Sequence, residues 1–290
     1  MEHCDILIIG GGIAGLSAAR EAFSAGCNDI LLVERKPALG GILRQCYHRG
    51  FGNGLDGPEY VGKMTADLPK EIRCFTGTTV ISISKDKKAL LKSGEHGEII
   101  IAFEQLILAS GCLDIPMGSL PIVGTRPQGI YTAGQMQEMI NLYGFRPQGP
   151  VVILGSGDLG LIMAKHLYDA GIAVAAIVEQ KDSCGAMARN QQFLPQSGIP
   201  LICNNTITQV LGHPHLEGVI LSDGSSIPCK TLLIAVGFRS DRTPIHFCSQ
   251  ESWLHLCGNC HKIYPMVEGV IMDSRQAALR AVSALGNSKK

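Results

Sequence analysis

Two stretches of the chain repeat the same order: a short apolar run, a glycine-rich turn, a helix-compatible segment, and a second apolar run ending in glutamate. The first stretch spans residues 5–34 and the second spans residues 151–179. In both, the glutamate follows the first glycine of the turn by 24 residues. Continuous apolar runs are typical of parallel strands covered on both faces, so each stretch predicts a βαβ unit. Two such units favour an α/β fold with two Rossmann-like dinucleotide-binding domains.

Composition supports this fold class and excludes several functions. Glycine accounts for 35 of 290 residues and charged residues for 17%, which suits buried strands joined by tight turns. The 25 Lys and Arg residues balance the 25 Asp and Glu residues, so no excess positive charge is available to bind nucleic acid. The apolar stretch at residues 6–16 is interrupted by glycines and is shorter than the ~20 residues of a membrane span. A secretory signal would begin with basic residues, and no Lys or Arg occurs before Arg20, so no such signal is expected. We therefore expect a cytoplasmic protein without a membrane span.

The first glycine-rich turn has the spacing Gly-x-Gly-x-x-Gly, formed by Gly10, Gly12 and Gly15. It follows a predicted strand and opens a predicted helix, so its N–H groups and the positive end of the helix face one anionic group, normally a pyrophosphate. Glu34 ends the next strand, where its carboxylate can accept hydrogen bonds from both ribose hydroxyls of a nucleotide. An isolated motif of this kind is also compatible with an ordinary tight turn. The strand, helix and glutamate in register predict a nucleotide site.

The residues after this unit carry a family resemblance. Glu34-Arg35 followed by the doublet Gly40-Gly41 resembles the extended FAD fingerprint of the two-dinucleotide-binding-domain flavoproteins, the thioredoxin-reductase-like superfamily. Three later stretches fit that family in order: residues 106–111 resemble its Ala-Thr-Gly strand end, residues 233–239 its return strand in the nicotinamide domain, and residues 256–259 its late Gly-Asp motif. The resemblance implies FAD contacts from Arg35, Gly40, Gly41, Val80, Ala109, Gly111, Gly258, Asn259 and Val267. Val267 is expected near a helix N-terminus whose dipole faces the flavin.

The same resemblance implies how the chain is divided. We expect a discontinuous FAD domain formed by residues 1–117 and 239–290, with a nicotinamide domain of residues 118–238 inserted between its two parts. The segment 112–150, rich in Gly, Pro and Gln, is predicted to hold the inter-domain crossing and a helix near residues 134–143. Other predicted elements are strands at 80–84, 99–103, 106–109, 218–221 and 232–236, and a helix at 274–285.

Two further stretches narrow the resemblance to one bacterial branch. Residues 40–60 and 126–134 are similar to flavoproteins that accompany glycerol-3-phosphate dehydrogenase systems and are akin to flavoprotein subunits of opine, proline and hydrogen-cyanide-forming dehydrogenases. Asn259 departs from the pattern by replacing its usual acidic residue, which affects one expected FAD contact. No additional C-terminal dimerisation domain of the glutathione-reductase kind is expected, so the oligomeric state stays open.

The second glycine-rich turn is predicted to bind another nucleotide by the same physics. The resemblance implies NAD(P)H as the ligand, held by Gly155, Gly157, Gly160, Glu179 and Gly237. Glu179 favours NADH because its carboxylate can accept ribose hydroxyls and repels a 2′-phosphate; the alternative is a solvated strand end. In thioredoxin reductases a cysteine pair lies near the position that residues 131–134 occupy here. These residues contain no cysteine, so thioredoxin reductase activity is not expected.

Two side chains are candidates for direct chemistry. Cys46 and His48 follow the Gly-Gly doublet, where the family places the chain close to the edge of the flavin ring. The histidine could deliver a proton, and the cysteine could form a charge-transfer contact. The alternative for both is packing beneath the flavin without a chemical role.

Eleven scattered cysteines are read as mostly reduced, buried residues. The sequence Cys257-x-x-Cys260-His261 also matches the haem-attachment pattern, but the absence of an export signal argues against haem. A zinc site needs four ligands and no second Cys-x-x-Cys is present, so no metal is expected. The favoured interpretation is that the two cysteines flank the late FAD motif, and a redox role beside the flavin is the minority alternative.

Three functions remain open at this point. The first is an FAD-dependent oxidoreductase that exchanges hydride with NAD(P)H and passes electrons to a small-molecule acceptor or a partner. The second is the flavoprotein subunit of a small-substrate dehydrogenase, of glycerol-3-phosphate, opine or amino-acid type, whose second site holds a nucleotide without hydride exchange. The third is a non-enzymatic nucleotide-binding sensor or scaffold.

Overall fold

A computed structural model describes residues 2–95, 97–245 and 251–288. The strands, in chain order, are β1 (Glu2–Ile9), β2 (Ile30–Val33), β3 (Arg73–Phe75), β4 (Thr78–Ile83), β5 (Lys88–Ser93), β6 (Gly97–Leu108), β7 (Cys112–Asp114), β8 (Val123–Gly124), β9 (Ile130–Thr132), β10 (Val151–Leu154), β11 (Val174–Val178), β12 (Leu201–Ile202), β13 (Ile207–Leu211), β14 (Gly218–Leu221), β15 (Ser226–Pro228), β16 (Thr231–Ile234), β17 (Phe238–Ser240) and β18 (Leu254–Leu256). The helices are α1 (Ile13–Ser24), α2 (Gly57–Ala66), α3 (Ala133–Tyr143), α4 (Asp158–Asp169), α5 (Ala188–Gln191), α6 (Leu194–Ser197) and α7 (Val267–Ser288).

The chain divides into two compact units. The first is Met1–Leu113 together with Arg239–Lys290, and the second is Asp114–Phe238. The first unit contains the first glycine fingerprint and the second unit contains the second. The predicted α/β fold with two Rossmann-like units is confirmed.

A seven-stranded sheet forms the core of the first unit, in the order β3-β2-β1-β6-β5-β4, with β18 also paired to β6. β1 is parallel to β2 and to β6, whereas β5 and β4 form an antiparallel wing. Ile6 and Ile8 of β1 pack with α1 and α7 on one face, and Leu7 packs with Phe103 and Trp253 on the other. Burial of both faces explains the continuous apolar run of β1.

The long strand β6 corrects one prediction. The sequence indicated two strands, at 99–103 and 106–109, because polar residues interrupt the apolar pattern between them. The structure has one continuous strand, in which Glu104 accepts a hydrogen bond from Lys87 at 3.0 Å and Gln105 pairs with His255 at 2.9 Å. These tertiary partners satisfy the polar side chains, so no turn is needed.

The second unit combines two sheets. Its parallel sheet has the order β12-β11-β10-β16-β9, and the apolar side chains of α3 and α4 pack against it. A smaller sheet, β15-β14-β13-β8, shares a separate apolar cluster with β10 and β16. The segment predicted as a crossing therefore contributes strands β8 and β9 to these sheets, besides the predicted helix α3.

The C-terminal helix is longer than the sequence indicated. A helix was predicted at residues 274–285, with a separate helix start near Val267. The structure has one helix, α7, from Val267 onward, and it packs along α1 through Ala277, Ala278 and Ala281. Over the described ranges of the chain, no helix is both long enough and apolar enough to cross a membrane.

Candidate nucleotide-binding sites

Close packing at the first fingerprint excludes side chains at two of its glycines. Gly10 has a φ of +106°, and a Cβ there would lie 2.4 Å from the carbonyl oxygen of Ala109. A Cβ on Gly15 would lie 1.8 Å from the carbonyl oxygen of Gly10. Both contacts are far below van der Waals distance, so these glycines allow β1, β6 and α1 to meet.

Gly12 differs because the protein itself leaves room for a side chain. A Cβ on Gly12 would meet only the Cα of Gly41, at an ordinary 3.7 Å. Gly12 is the N-cap of α1, with no side-chain cap and no acidic residue in the first helical turn. The free N–H groups and the positive end of the helix dipole there fit an anionic group such as a pyrophosphate.

Glu34 lies beside this glycine-rich turn and is buried, with 6% of its surface exposed. Its Oε2 accepts the N–H of Gly11 at 2.7 Å, and its Oε1 accepts the N–H of Lys36 at 2.7 Å. A carboxylate oxygen can accept two hydrogen bonds, so each oxygen keeps one position for a ribose hydroxyl. The predicted role of Glu34 fits this geometry.

Sequence reasoning passed over Gly11. A Cβ on Gly11 would lie 2.6 Å from Cδ2 of Leu39 and 2.9 Å from Cβ of Glu34. Only a glycine at position 11 lets Glu34 approach the turn this closely. The run of three consecutive glycines, 10–12, was the available signal for this constraint.

The glycine doublet packs directly on the fingerprint. The N–H of Gly40, at a φ of +115°, donates to the carbonyl oxygen of Gly11 at 2.7 Å. A Cβ on Gly41 would lie 2.9 Å from Cα of Gly12. This contact places the segment that follows the doublet beside the start of α1. The predicted contact Arg35 is exposed beside Glu34.

Four of the remaining predicted FAD contacts follow the ends of two neighbouring strands. Ala109 and Gly111 follow β6, and Gly258 and Asn259 follow β18, which pairs with β6. Val80 lies in β4, two residues after Thr78, whose N–H donates to the carbonyl oxygen of Glu34 at 3.0 Å. The structure thus gathers Ala109, Gly111, Gly258 and Asn259 at the same sheet edge as the fingerprint, whereas Val80 lies within β4, where it pairs with Leu91 of β5.

The late motif is held by a residue that sequence reasoning missed. Oδ2 of Asp273, a buried carboxylate on α7, accepts the N–H of Gly258 at 2.8 Å, and its Oδ1 lies 3.1 Å from Nδ1 of His261. Asn259 uses its Oδ1 to accept the N–H of Tyr264 at 3.1 Å. The neutral amide at 259 therefore acts in the local turn, and the buried carboxyl group that holds the motif comes from α7.

Cys46 is enclosed by apolar side chains. It packs with Leu43 and Val61, and its Sγ donates to the carbonyl oxygen of Ile42 at 3.3 Å. Burial raises the pKa of the Cys46 thiol to about 12, so the thiol is protonated at neutral pH. A charge-transfer donor is normally a thiolate, so packing is the better interpretation of Cys46. The ring of His48 lies 5.0 Å from the ring of Phe51, between ring centroids, and its chemical role remains a prediction.

The pair Cys257 and Cys260 is buried and free. Sγ of Cys260 donates to the carbonyl oxygen of Leu108 at 3.0 Å, and burial raises the pKa of both thiols. Neither thiol has the exposure or the thiolate character that redox chemistry needs, which favours the structural interpretation. Six of the ten described cysteines are buried, as expected, and Cys248 lies outside the described residues. In the described part of the chain, one group of side chains is close enough to share a metal ion, His3, Asp5 and Asp29, and it includes neither cysteine.

The second fingerprint repeats the backbone geometry of the first. Gly155 has a φ of +104°, and a Cβ there would lie 2.4 Å from the carbonyl oxygen of Ala235. A Cβ on Gly160 would lie 2.3 Å from the carbonyl oxygen of Gly155, whereas one on Gly157 would meet no protein atom within 4 Å. The open position at Gly157 matches the open position at Gly12. Gly237, at a φ of +126°, accepts a hydrogen bond from the N–H of Ile115 at 3.1 Å.

Glu179 occupies the position of Glu34 in this site and is also buried. Its Oε2 accepts the N–H and the hydroxyl of Ser156, at 2.9 Å and 2.6 Å, and its Oε1 accepts the N–H of Lys181 at 3.0 Å. Burial alone would raise the pKa of the Glu179 carboxyl. The hydrogen bonds outweigh that effect, so the pKa lies below its ordinary value and the group is ionised at neutral pH.

The characteristic sequence of the pyridine nucleotide-disulphide oxidoreductases matches residues 4–252. The chain belongs to this family. FAD and NAD(P)H are the cofactors of this family of oxidoreductases. The open glycine positions and the acidic residue beside each fingerprint fit two dinucleotides.

Individual proteins show the same relationship. The chain is 32% identical over 228 residues to hydrogen cyanide synthase subunit HcnB of Pseudomonas protegens, covering 75% of this chain and 46% of that protein. It is 29% identical over 272 residues to an opine oxidase subunit of Agrobacterium tumefaciens, covering 81% of this chain and 52% of that protein. The chain thus spans about half the length of these relatives. In structure it is similar to thioredoxin reductase of Lactococcus lactis, with a TM-score of 0.76, 19% identity, and coverage of 98% of this chain and 99% of that one.

Proposed function

We propose that the protein transfers hydride between NADH and FAD and passes the electrons to a small-molecule acceptor or a partner subunit. The observation that carries the proposal is the pair of matched nucleotide sites, each with an open glycine and a buried glutamate. FAD supplies the chemistry of accepting a hydride and releasing electrons, and the protein supplies binding and orientation.

The residues of the first unit would hold FAD through its pyrophosphate and its ribose. The N–H groups at the start of α1 bind the pyrophosphate, and Glu34 accepts the ribose hydroxyls. The doublet Gly40-Gly41 brings the following segment against the start of α1.

The proposal includes the division of the chain into domains. FAD is bound by residues 1–117 and 239–290, and the nicotinamide nucleotide is bound by residues 118–238.

The preference for NADH rests on charge. Glu179 is buried, ionised and placed at the end of β11, where the adenosine ribose of a dinucleotide binds. A 2′-phosphate on that ribose would meet a like charge. Lys181 is the single cation among residues 180–182, and no arginine pair is present there to clamp a phosphate.

A second candidate function is supported by the relatives. The hydrogen cyanide synthase and opine oxidase proteins are, by name, subunits of larger enzymes. The chain could therefore serve as the flavoprotein subunit of a dehydrogenase that oxidises a small organic substrate. In that case FAD would receive electrons from the substrate, and the second nucleotide would be bound without exchanging hydride.

Anaerobic titration of the purified FAD-loaded protein with NADH separates these functions. Prompt loss of the oxidised flavin absorbance supports hydride transfer from NADH. Persistence of that absorbance with excess NADH rejects it in favour of the subunit function, which is then tested by adding candidate amino-acid, opine or polyol substrates. Purification without any flavin, and failure to bind added FAD, would reject both in favour of a nucleotide-binding sensor or scaffold.

A further inference from the structure

Ser156 distinguishes the two nucleotide sites. It stands between Gly155 and Gly157, where the first fingerprint has Gly11, and its side chain is fully buried. The first site has no room for a serine, because any Cβ on Gly11 would clash with Leu39 and Glu34. The hydroxyl of Ser156 is therefore a feature of the second site alone.

The hydroxyl changes how many hydrogen bonds the acidic residue can still accept. A carboxylate offers about four acceptor positions, two on each oxygen. In the described structure Glu34 uses two of them, one on each oxygen, for Gly11 and Lys36. Glu179 uses three: both positions on Oε2 are taken by Ser156, and one on Oε1 by Lys181. Glu34 can thus accept two ribose hydroxyls, whereas Glu179 can accept one.

We propose that Ser156 is a specificity-determining residue of the second site, where its hydroxyl occupies the position on Glu179 that a second ribose hydroxyl would take. The adenosine ribose of the coenzyme is then bound through one hydroxyl. The protein therefore discriminates less between NADH and NADPH than it would if this acceptor position on Glu179 were open. This inference rests on the proposed function of the second site as a nicotinamide nucleotide site.

The hydroxyl can be removed without detaching the neighbouring loop. Oγ of Ser156 accepts the N–H of Gly185 at 2.9 Å, and this loop contact is lost with the hydroxyl. Sγ of Cys184 donates to the carbonyl oxygen of Ser156 at 3.4 Å. Oδ1 of Asp158 accepts the N–H of Met187 at 2.8 Å and the side-chain amide of Asn190 at 2.6 Å. A Ser156→Ala change keeps these last three contacts and adds no atom.

The test measures binding rather than turnover. NAD⁺ and NADP⁺ are used as probes, because neither can reduce the flavin, and each is titrated calorimetrically into the FAD-loaded parent protein and Ser156→Ala. We expect Ser156→Ala to bind NAD⁺ about three- to ten-fold more tightly, the range expected for one added hydrogen bond, with NADP⁺ binding unchanged or weaker. In a Glu179→Ala background the same change should have no effect on NAD⁺ affinity.

The outcomes separate this inference from the function it rests on. If the parent protein binds NAD⁺ and Ser156→Ala leaves the affinity unchanged, or weakens both nucleotides equally, Ser156 is a packing residue and the inference is overturned. If the parent binds neither nucleotide, the proposed function of the second site is itself refuted, and the inference with it. Ser156→Gly, which reproduces the residue of the first fingerprint, gives the same test should the alanine variant fail to fold.

Discussion

The open position at Gly12 allows ligand binding to be disrupted without disrupting the fold. Gly12 has a φ of −75° and a ψ of −172°, which any L-residue can adopt, and a Cβ there meets only the Cα of Gly41 at 3.7 Å. Gly12→Val should therefore change the free energy of unfolding of the FAD-free protein by no more than about 1 kcal/mol. Its branched side chain would instead occupy the space in which a pyrophosphate approaches the start of α1.

The magnitude follows from the hydrogen bonds that are lost. A hydrogen bond to a charged group contributes about 1.5–3 kcal/mol, so separating two backbone N–H groups from the pyrophosphate costs about 3–6 kcal/mol. That range corresponds to a loss of FAD affinity of roughly 10²- to 10⁴-fold. We expect the variant to purify without flavin and to require far more added FAD to restore the flavin spectrum.

Gly157→Val is the matched control. A Cβ on Gly157 meets no protein atom within 4 Å, so this variant should also fold. It should keep FAD at full stoichiometry and lose affinity for the nicotinamide nucleotide. Stability must be compared between FAD-free proteins, because bound FAD itself raises the melting temperature by mass action. Full flavin content in purified Gly12→Val would refute the assignment of this turn to FAD.

Three further changes test other parts of the site. Gly15→Ala should lower the free energy of unfolding, measured in urea, by at least about 2 kcal/mol, because its Cβ would lie 1.8 Å from a carbonyl oxygen. Gly62→Ala in α2 is the control: a Cβ there meets nothing within 4 Å, so this change should be neutral or slightly stabilising. Cys46→Ser should leave the flavin spectrum and the reoxidation rate unchanged and cost roughly 1 kcal/mol of stability, since the thiol is buried and protonated. A changed flavin spectrum in a folded variant would instead support a chemical role for Cys46. Glu179→Ala should lower kcat/KM for NADH and narrow the gap to NADPH in steady-state kinetics, and an unchanged ratio would contradict the assigned role of this carboxylate.

Several features of the site could be predicted because they depend on short-range backbone geometry. The glycines at 10 and 15 and their counterparts at 155 and 160 mark turns in which a strand and a helix approach closely, and those at 12 and 157 leave space at the start of the helix. Glu34 and Glu179 could be found because a strand end has a fixed distance along the chain from its turn. The strands and helices between them follow from apolar periodicity.

The tertiary structure decided which partners each side chain has. Asp273 supports Gly258 across 15 residues, and Ser156 binds Glu179 across 23, and neither contact leaves a periodic signal in the sequence. The continuity of β6 likewise depends on Lys87, in the turn before β5, and on His255 of β18, which satisfy its polar residues. Cys46 could be placed near the flavin by resemblance, but whether its thiol is exposed or enclosed depends on how α2 packs against it.

The sequence by itself therefore determined the fold class, the two glycine-rich turns and the glutamates beside them, because these are set by local sterics and by the alternation of apolar runs with glycine. Only the tertiary structure decided the protonation of Cys46 and the hydrogen bonds already occupied on Glu179. Protonation states and free acceptor positions depend on burial and on neighbours brought together by folding, which no spacing along the chain encodes.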